Sequence, residues 1–230
     1  GLAAQSANAG IPVDLLDVVP DAASDRDDIA KDAIERLLKT DPAPLMHRRN
    51  VELITPGTIK DHLNRLSECD GNVEAVIENL EVKQGLYKKI AKLRHNQAVV
   101  SSNTSTIPLA SLVKDMDSDF RSHFLISHFF NPPRYMRLLE IVTGPDTRSD
   151  IAGAVHEFAD RLLGKTVIDC KDTPGFIANR LGTYWLQCAV VTAIDQGIAI
   201  ETADATIGAP FGIPKSGVFG LLDMVGLDLM

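Results

Sequence analysis

A histidine and a glutamate, His128 and Glu140, interrupt two apolar stretches of the sequence. Residues 126–130 and 138–142 otherwise carry mostly large apolar side chains, which predicts two buried strands joined by a proline-containing turn. Facing each other across that turn, the two side chains would form an acid/base pair. The imidazole would move a proton, and the carboxylate would fix its tautomer and stabilise the imidazolium. The alternative is a core histidine that bonds to an acid for structural reasons alone.

A second group of polar residues, 102–106, follows a predicted strand at 98–101. Ligands of open α/β sheets bind at the carboxyl ends of the strands, so this run of hydroxyl and amide side chains is a candidate site. Serine and threonine also cap helices, and a helix is predicted at 108–116. Five successive polar residues exceed what a cap requires, which favours a site.

A third candidate is Asp17, the last residue of a predicted strand at 11–17. A predicted helix at 2–9, ended by Gly10, precedes this strand. Helix, glycine, strand and terminal acid form the second half of a nucleotide-binding βαβ unit, whose acid binds the ribose hydroxyls about 20 residues after a glycine loop. Counted back from Asp17, that loop would end at or just before residue 1, so we expect the first strand and the loop to be missing from the chain. A turn acid without a ligand is the alternative.

The elements that position these residues predict the fold class. Strands and helices alternate up to about residue 171, and only helices follow. This order predicts a Rossmann-like, doubly wound α/β domain at 1–171 and an all-α domain at 172–230, both expected to be truncated. A helix at 176–195 is apolar on nearly every side, which indicates burial in a bundle or at a subunit contact. The sequence also predicts three local elements: a strand at 51–54, a helix at 58–67, and a strand that begins only at Val73.

Composition excludes several classes of function. The net charge is −8, without a basic patch, which argues against nucleic acid as the main partner. No apolar run is long enough to predict a transmembrane span. The three cysteines lack the spacing of metal ligands and indicate thiols in a reducing compartment, so we expect no metal site and a cytoplasmic location.

Motifs along the whole chain resemble the L-3-hydroxyacyl-CoA dehydrogenase family. Their order and spacing agree with that family, although each alone is weak. The residues around Arg134–Met136 look most like large bacterial proteins that also carry an enoyl-CoA hydratase module. The motifs are Val73–Leu80 with Lys83, Ser102–Ser105, His128–Pro132, Glu140, Asp172–Arg180, Pro210–Pro214 and Gly226–Asp228.

The resemblance implies a role for each matching residue. It implies NAD as the cofactor, an acyl-CoA thioester as the substrate, and a homodimer formed through the helical domain. The active site would lie in the cleft between the domains. The implied roles are a general base for His128, its carboxylate partner for Glu140, polar groups near the reacting oxygen and the nicotinamide for Ser105 and Asn179, and cofactor contacts for Asp17, Glu78, Lys83, Ser105 and Asn103.

Two other functions stay open. One is an NAD-dependent dehydrogenase that acts on a free 3-hydroxy acid rather than a thioester. The other is a structural, dimer-forming family member without turnover, for which the expected absence of the glycine loop is the supporting feature.

Overall fold

The computed structural model describes residues 1–20, 25–212 and 216–226. The chain divides into two compact units, Gly1–Pro174 and Gly175–Met230. The spacing of apolar residues also predicts a helix over 22–39. Its start, and parts of the motifs at 210–214 and 226–228, lie outside the described residues.

Helices and strands alternate along the first unit. The helices are α1 (Leu2–Asn8), α2 (Asp28–Lys39), α3 (Leu80–Leu93), α4 (Leu109–Leu112), α5 (Ser118–Ser122) and α6 (Ser149–Arg161). The strands are β1 (Val13–Asp17), β2 (Ile54–Thr58), β3 (Gly71–Glu74), β4 (Val99–Ser102), β5 (Phe124–Phe129), β6 (Leu138–Thr143) and β7 (Thr166–Cys170). Arg48–Leu53 and Leu63–Glu68 form 3-10 helices.

The described strands form two sheets. β1 and β2 pair in parallel, and the larger sheet has the order β3-β4-β5-β6-β7. β3, β4 and β5 run parallel, β6 is antiparallel to β5, and β7 is parallel to β6. Together with the flanking helices and the helical second unit, this arrangement confirms the predicted Rossmann-like fold followed by an all-α region.

The centre of the larger sheet is buried, which fixes the strands that carry the site. β5 is buried from Phe124 to His128. Leu125, Leu139 and Ile141 pack with Ala159 of α6 in one apolar cluster. Burial on both faces is what continuous apolar strands require, so the positions of β5 and β6 are set by the core.

Three local expectations are wrong. Residues 51–53 belong to a 3-10 helix, and the strand is Ile54–Thr58. The helix expected at 58–67 is a short 3-10 helix, and β3 already begins at Gly71. Pairing explains these shifts, because β2 matches β1 residue by residue and β3 matches β4, and such tertiary pairing overrides local preference.

The second unit consists of α7 (Ala178–Asp195), α8 (Ile200–Thr206), a 3-10 turn at Ala209–Phe211 and α9 (Phe219–Val225). Asp204 of α8 binds the N-terminus of α9, where Oδ1 accepts from the N–H groups of Val218 and Phe219, both at 2.7 Å. Several apolar side chains of α7 are exposed, including Tyr184 at 72%. None of the described helices has the length and apolarity needed to cross a bilayer.

Candidate active site

The predicted acid/base pair is formed by directly opposite residues of two antiparallel strands. His128 of β5 is in register with Glu140 of β6, and His128 Nδ1 lies 2.8 Å from Glu140 Oε2. The residues are buried, with exposures of 6% and 0%. When Glu140 is ionised, its carboxylate only accepts hydrogen bonds, and Nδ1 would then carry the proton of this contact. The predicted contact between the two side chains is confirmed.

Asn103, predicted as a cofactor contact, fixes the residue next to the histidine. Its Oδ1 accepts a hydrogen bond from the N–H of Phe129 at 3.0 Å. Its own N–H donates to the carbonyl of Glu74 at 2.8 Å. Asn103 therefore connects the ends of β3 and β5 with the polar run that follows β4.

Sequence reasoning missed a buried polar cluster centred on Glu74, the last residue of β3. Its carboxylate accepts hydrogen bonds from Lys83 Nζ at 2.7 Å, Tyr87 Oη at 2.6 Å and Ser102 Oγ at 2.7 Å. It also accepts from the N–H of Val76 at 2.7 Å. Burial is the largest cause that raises the pKa of Tyr87, followed by the charge of Glu74. The available signal was an acid inside the apolar stretch 73–77.

Glu78 and Lys83, both predicted cofactor contacts, lie together at this end of the sheet. Lys83 is 1% exposed, and its Nζ lies 3.2 Å from Glu78 Oε2. Thr104 and Thr106 both donate hydrogen bonds to Glu78 Oε1. Burial acts to raise the pKa of Glu78, but the two threonine hydroxyls and the ammonium of Lys83 outweigh it, so this pKa lies below its usual value.

The polar run after β4 serves several purposes. Thr104 Oγ1 accepts hydrogen bonds from the N–H groups of Thr106 and Ile107, at 3.3 and 3.0 Å. Ser102 belongs to the Glu74 cluster. Ser105 is half-buried, and its side chain makes no hydrogen bond to any residue that the structure describes. Only part of the run therefore acts as local capping, and Ser105 keeps its hydroxyl for another partner.

Asp17 ends β1, as predicted. Its Oδ1 accepts a hydrogen bond from the N–H of Val18 at 2.7 Å. Residues 18–20 line an open depression together with residues 59–61 and two lysines of α3, Lys89 and Lys92. A carboxylate at the edge of an open depression fits ligand hydroxyls, which donate hydrogen bonds.

Asn179 is the second residue of α7 and belongs to the second unit, where it is half-buried. It follows a tight turn in which Gly175 has a φ of 71° and Phe176 a φ of 45°. A positive φ is uncommon for an aromatic residue, and Phe176 is 3% exposed, so packing holds this turn. The predicted position of Asn179 in a cleft between the domains stays a prediction.

Two family descriptions match this chain. Residues 1–173 match "3-hydroxyacyl-CoA dehydrogenase, NAD binding domain". Residues 175–230 match "3-hydroxyacyl-CoA dehydrogenase, C-terminal domain".

Individual relatives agree with these matches. A "Probable 3-hydroxyacyl-CoA dehydrogenase" of Bacillus subtilis is 42% identical over 99% of this chain and 31% of its own length. A "Putative fatty acid oxidation complex trifunctional enzyme" of Rickettsia prowazekii is 39% identical over 100% of this chain and 32% of its own length. The chain therefore spans about a third of the length of these two relatives.

Solved structures share the fold. FadB2 of M. tuberculosis superposes with a TM-score of 0.82 at 29% identity, covering 99% of this chain and 79% of that one. The (S)-3-hydroxybutyryl-CoA dehydrogenase of Ralstonia eutropha superposes with a TM-score of 0.79 at 28% identity, covering 99% of this chain and 78% of that one. With family matches over both units, the chain belongs to the 3-hydroxyacyl-CoA dehydrogenase family, and residues 1–173 correspond to its NAD-binding domain.

Proposed function

We propose that the protein catalyses the NAD-dependent oxidation of an L-3-hydroxyacyl-CoA to the 3-ketoacyl-CoA, with His128 as general base and Glu140 as its partner. The observation that carries this proposal is the 2.8 Å contact between the two side chains inside a buried sheet. Oxidation of a secondary alcohol requires a base on the hydroxyl while a hydride leaves the same carbon.

The buried pair suits this proton transfer. His128 Nε2 would accept the hydroxyl proton, and the resulting positive charge would face the Glu140 carboxylate across Nδ1. Burial strengthens that attraction, because charges interact more strongly away from water. In the direction of reduction, the same imidazolium would return the proton to the oxygen of the substrate.

The residues at the carboxyl ends of β1 and β3 fit the cofactor. NAD, when bound, supplies the hydride acceptor at its nicotinamide ring. Asp17 would accept hydrogen bonds from the ribose hydroxyls, and its negative charge disfavours a 2′-phosphate, which favours NAD over NADP. The side chain of Glu78 is 30% exposed and can reach a ligand, whereas the buried Lys83 would hold Glu78 in place. Asn103 completes this set by fixing the loop that follows β4.

Two polar groups would steady the reacting oxygen. Ser105 has a half-buried hydroxyl without a hydrogen-bond partner among the described residues, so it can donate to the substrate. Asn179 would contribute an amide from the helical unit.

The names of relatives suggest the wider context. A relative from Rickettsia prowazekii is named as a trifunctional enzyme of fatty acid oxidation, and the structure from Ralstonia eutropha as a 3-hydroxybutyryl-CoA dehydrogenase. We therefore propose a role in β-oxidation in the cytoplasm, fusion to an enoyl-CoA hydratase module, and a homodimer formed through the helical unit. The exposed apolar side chains of α7 support the last of these.

The test is consumption of NADH by the purified protein after addition of acetoacetyl-CoA. His128→Ala should lower turnover by about 100- to 10,000-fold, the usual loss for a general base, while NADH still binds. His95→Ala removes an exposed histidine and should change neither quantity. Equal turnover of His128→Ala and the wild type would rule out the proposed mechanism.

The same assay separates the alternatives. Turnover of free acetoacetate but not of its CoA ester would indicate a dehydrogenase of free 3-hydroxy acids. A protein that is folded but has no affinity for NADH would instead be a family member without turnover.

A further inference from the structure

Lys165, directly before β7, is a buried cation that the proposed reaction does not use. It is 2% exposed. Its ammonium donates hydrogen bonds to the backbone carbonyls of Pro133 and Met136, the latter at 2.9 Å. Among the described residues, no carboxylate lies within ion-pairing distance of it. Burial lowers the pKa of Lys165, as expected for an ammonium without a counter-charge.

The contacts of Lys165 fall on the segment that joins the two strands of the pair. Pro133 and Met136 both belong to residues 130–137, which connect β5 to β6. Nζ also lies 5.7 Å from the ring centroid of Phe129, the residue after His128. The N–H of Thr166, next in sequence, donates to the carbonyl of Arg137 at 2.8 Å. The side chain of Lys165 therefore contacts the last residue of β5 and two carbonyls of the connection to β6.

A different segment, residues 43–45, also binds the connection. Arg134 Nη1 donates to the carbonyl of Leu45 at 2.8 Å, and Tyr135 Oη to that of Ala43 at 2.9 Å. These contacts are at least partly exposed, whereas the hydrogen bond from Lys165 to Pro133 is buried and the one to Met136 is partly buried. Removing Lys165 would therefore free the carbonyls of Pro133 and Met136, while the contacts of Arg134 and Tyr135 stay in place.

Stability alone gives a weak reason for an ammonium at this position. A buried charge with only carbonyl partners is often no better than an apolar side chain of similar volume. Geometry gives a stronger reason, because carbonyl oxygens that share one ammonium are held at fixed distances from it. The imidazole and the carboxylate project from the two strands that this connection joins.

We propose that Lys165 is a positioning residue for the His128–Glu140 pair: its ammonium fixes residues 130–137 and thereby sets how the imidazole and the carboxylate meet. This inference rests on the proposed function. It predicts that the ammonium affects the rate of proton transfer more than the binding of NADH or the stability of the protein.

The experiment replaces Lys165 with methionine, which keeps the length of the side chain and removes its donors. Lys165→Met should lower kcat by about 10- to 100-fold, the range expected for a misplaced catalytic group, with the KM for NADH unchanged. Its pH profile of kcat should shift relative to the wild type, because the contact between imidazole and carboxylate is altered. Lys165→Arg, which restores N–H donors, should recover part of kcat. Lys39→Met is the control for an exposed lysine.

The outcomes separate the two proposals. If His128→Ala loses turnover while Lys165→Met keeps the wild-type kcat and pH profile, the inference about Lys165 is wrong and the proposed function stands. If His128→Ala keeps turnover, both fail. Should Lys165→Met not fold, Lys165→Leu, which also lacks donors, is measured in its place. A wild-type kcat and pH profile in that variant would overturn the inference equally.

Discussion

Two buried glutamates of the same sheet have opposite surroundings. Glu74, at the end of β3, is 4% exposed and accepts hydrogen bonds from an ammonium, a phenol, a serine hydroxyl and a backbone N–H. Glu140, in β6, is 0% exposed and faces the imidazole of His128. The difference lies in the partner, because an ammonium keeps its proton near neutral pH, whereas imidazoles gain and lose one there.

The surroundings indicate different uses for the same residue type. The donors around Glu74 come from α3, from β4 and from Val76 just after β3, so its carboxylate joins α3 and β4 to the end of β3. The contact between Glu140 and His128 spans two neighbouring strands and changes strength when the imidazole changes charge. We therefore expect replacement of Glu74 to affect folding, and replacement of Glu140 to affect turnover.

The largest expected effect is that of Glu140→Gln on turnover. The amide is neutral and cannot stabilise the imidazolium, so kcat should fall by about 100- to 10,000-fold. The free energy of unfolding should change much less, because the amide oxygen can still accept from Nδ1. Steady-state kinetics and urea unfolding measure the two quantities. Glu157→Gln, on the exposed face of α6, is the control. A kcat close to that of the wild type would contradict the distinction between the two acids.

The same substitution at the other acid should act on stability. Glu74→Gln leaves the ammonium of Lys83 buried with Glu78 as its remaining carboxylate partner. Breaking a buried ion pair by removing one partner costs about 3–5 kcal/mol, and the contact with Glu78 should keep the loss near the lower value. Urea unfolding measures this loss of unfolding free energy. The kcat per folded molecule should stay near that of the wild type.

A double variant checks the cause of that loss. Glu74→Gln combined with Lys83→Met removes both charges of the pair, so its destabilisation should be smaller than the sum of the two single losses by about 1–3 kcal/mol. Additive losses would show that the ion pair is not what makes Glu74 important. Glu74 would then stabilise the fold through its contacts with Tyr87 and Ser102.

The contrast also explains what the sequence could predict. His128 and Glu140 were recognisable because each interrupts an apolar strand, and because a short connection makes antiparallel neighbours of the strands. Their register follows from the alternation of side chains along each strand. Asp17 was recognisable as a polar residue at the end of an apolar strand. In these cases the residues that reveal the site lie within one strand or in two strands joined by a single turn.

The Glu74 cluster and Lys165 could not be predicted in the same way. The partners of Glu74 lie on α3 and β4, and Ser102 is 28 residues away. Lys165 finds its carbonyls in a segment about 30 residues earlier. Only the packing of the sheet brings such groups together, and the spacing of apolar residues in the sequence does not predict these contacts. The position of β2, expected at 51–54, is wrong for the same reason, since pairing with β1, far away in the sequence, determines it.

The smallest expected effect concerns Glu78, which belongs to the Glu74 cluster but is partly exposed. Its pKa in the folded state lies below the usual 4.5, so its ionised form stabilises the fold. That contribution is fully present above pH 4.5 and is lost as the pH falls through the lower, folded-state pKa. The difference in unfolding free energy between the wild type and Glu78→Gln should therefore be constant near neutral pH and shrink in acid. Glu81→Gln, exposed on α3, should show no such dependence. A difference that grows in acid would mean that the threonine hydroxyls and Lys83 do not favour the ionised carboxylate.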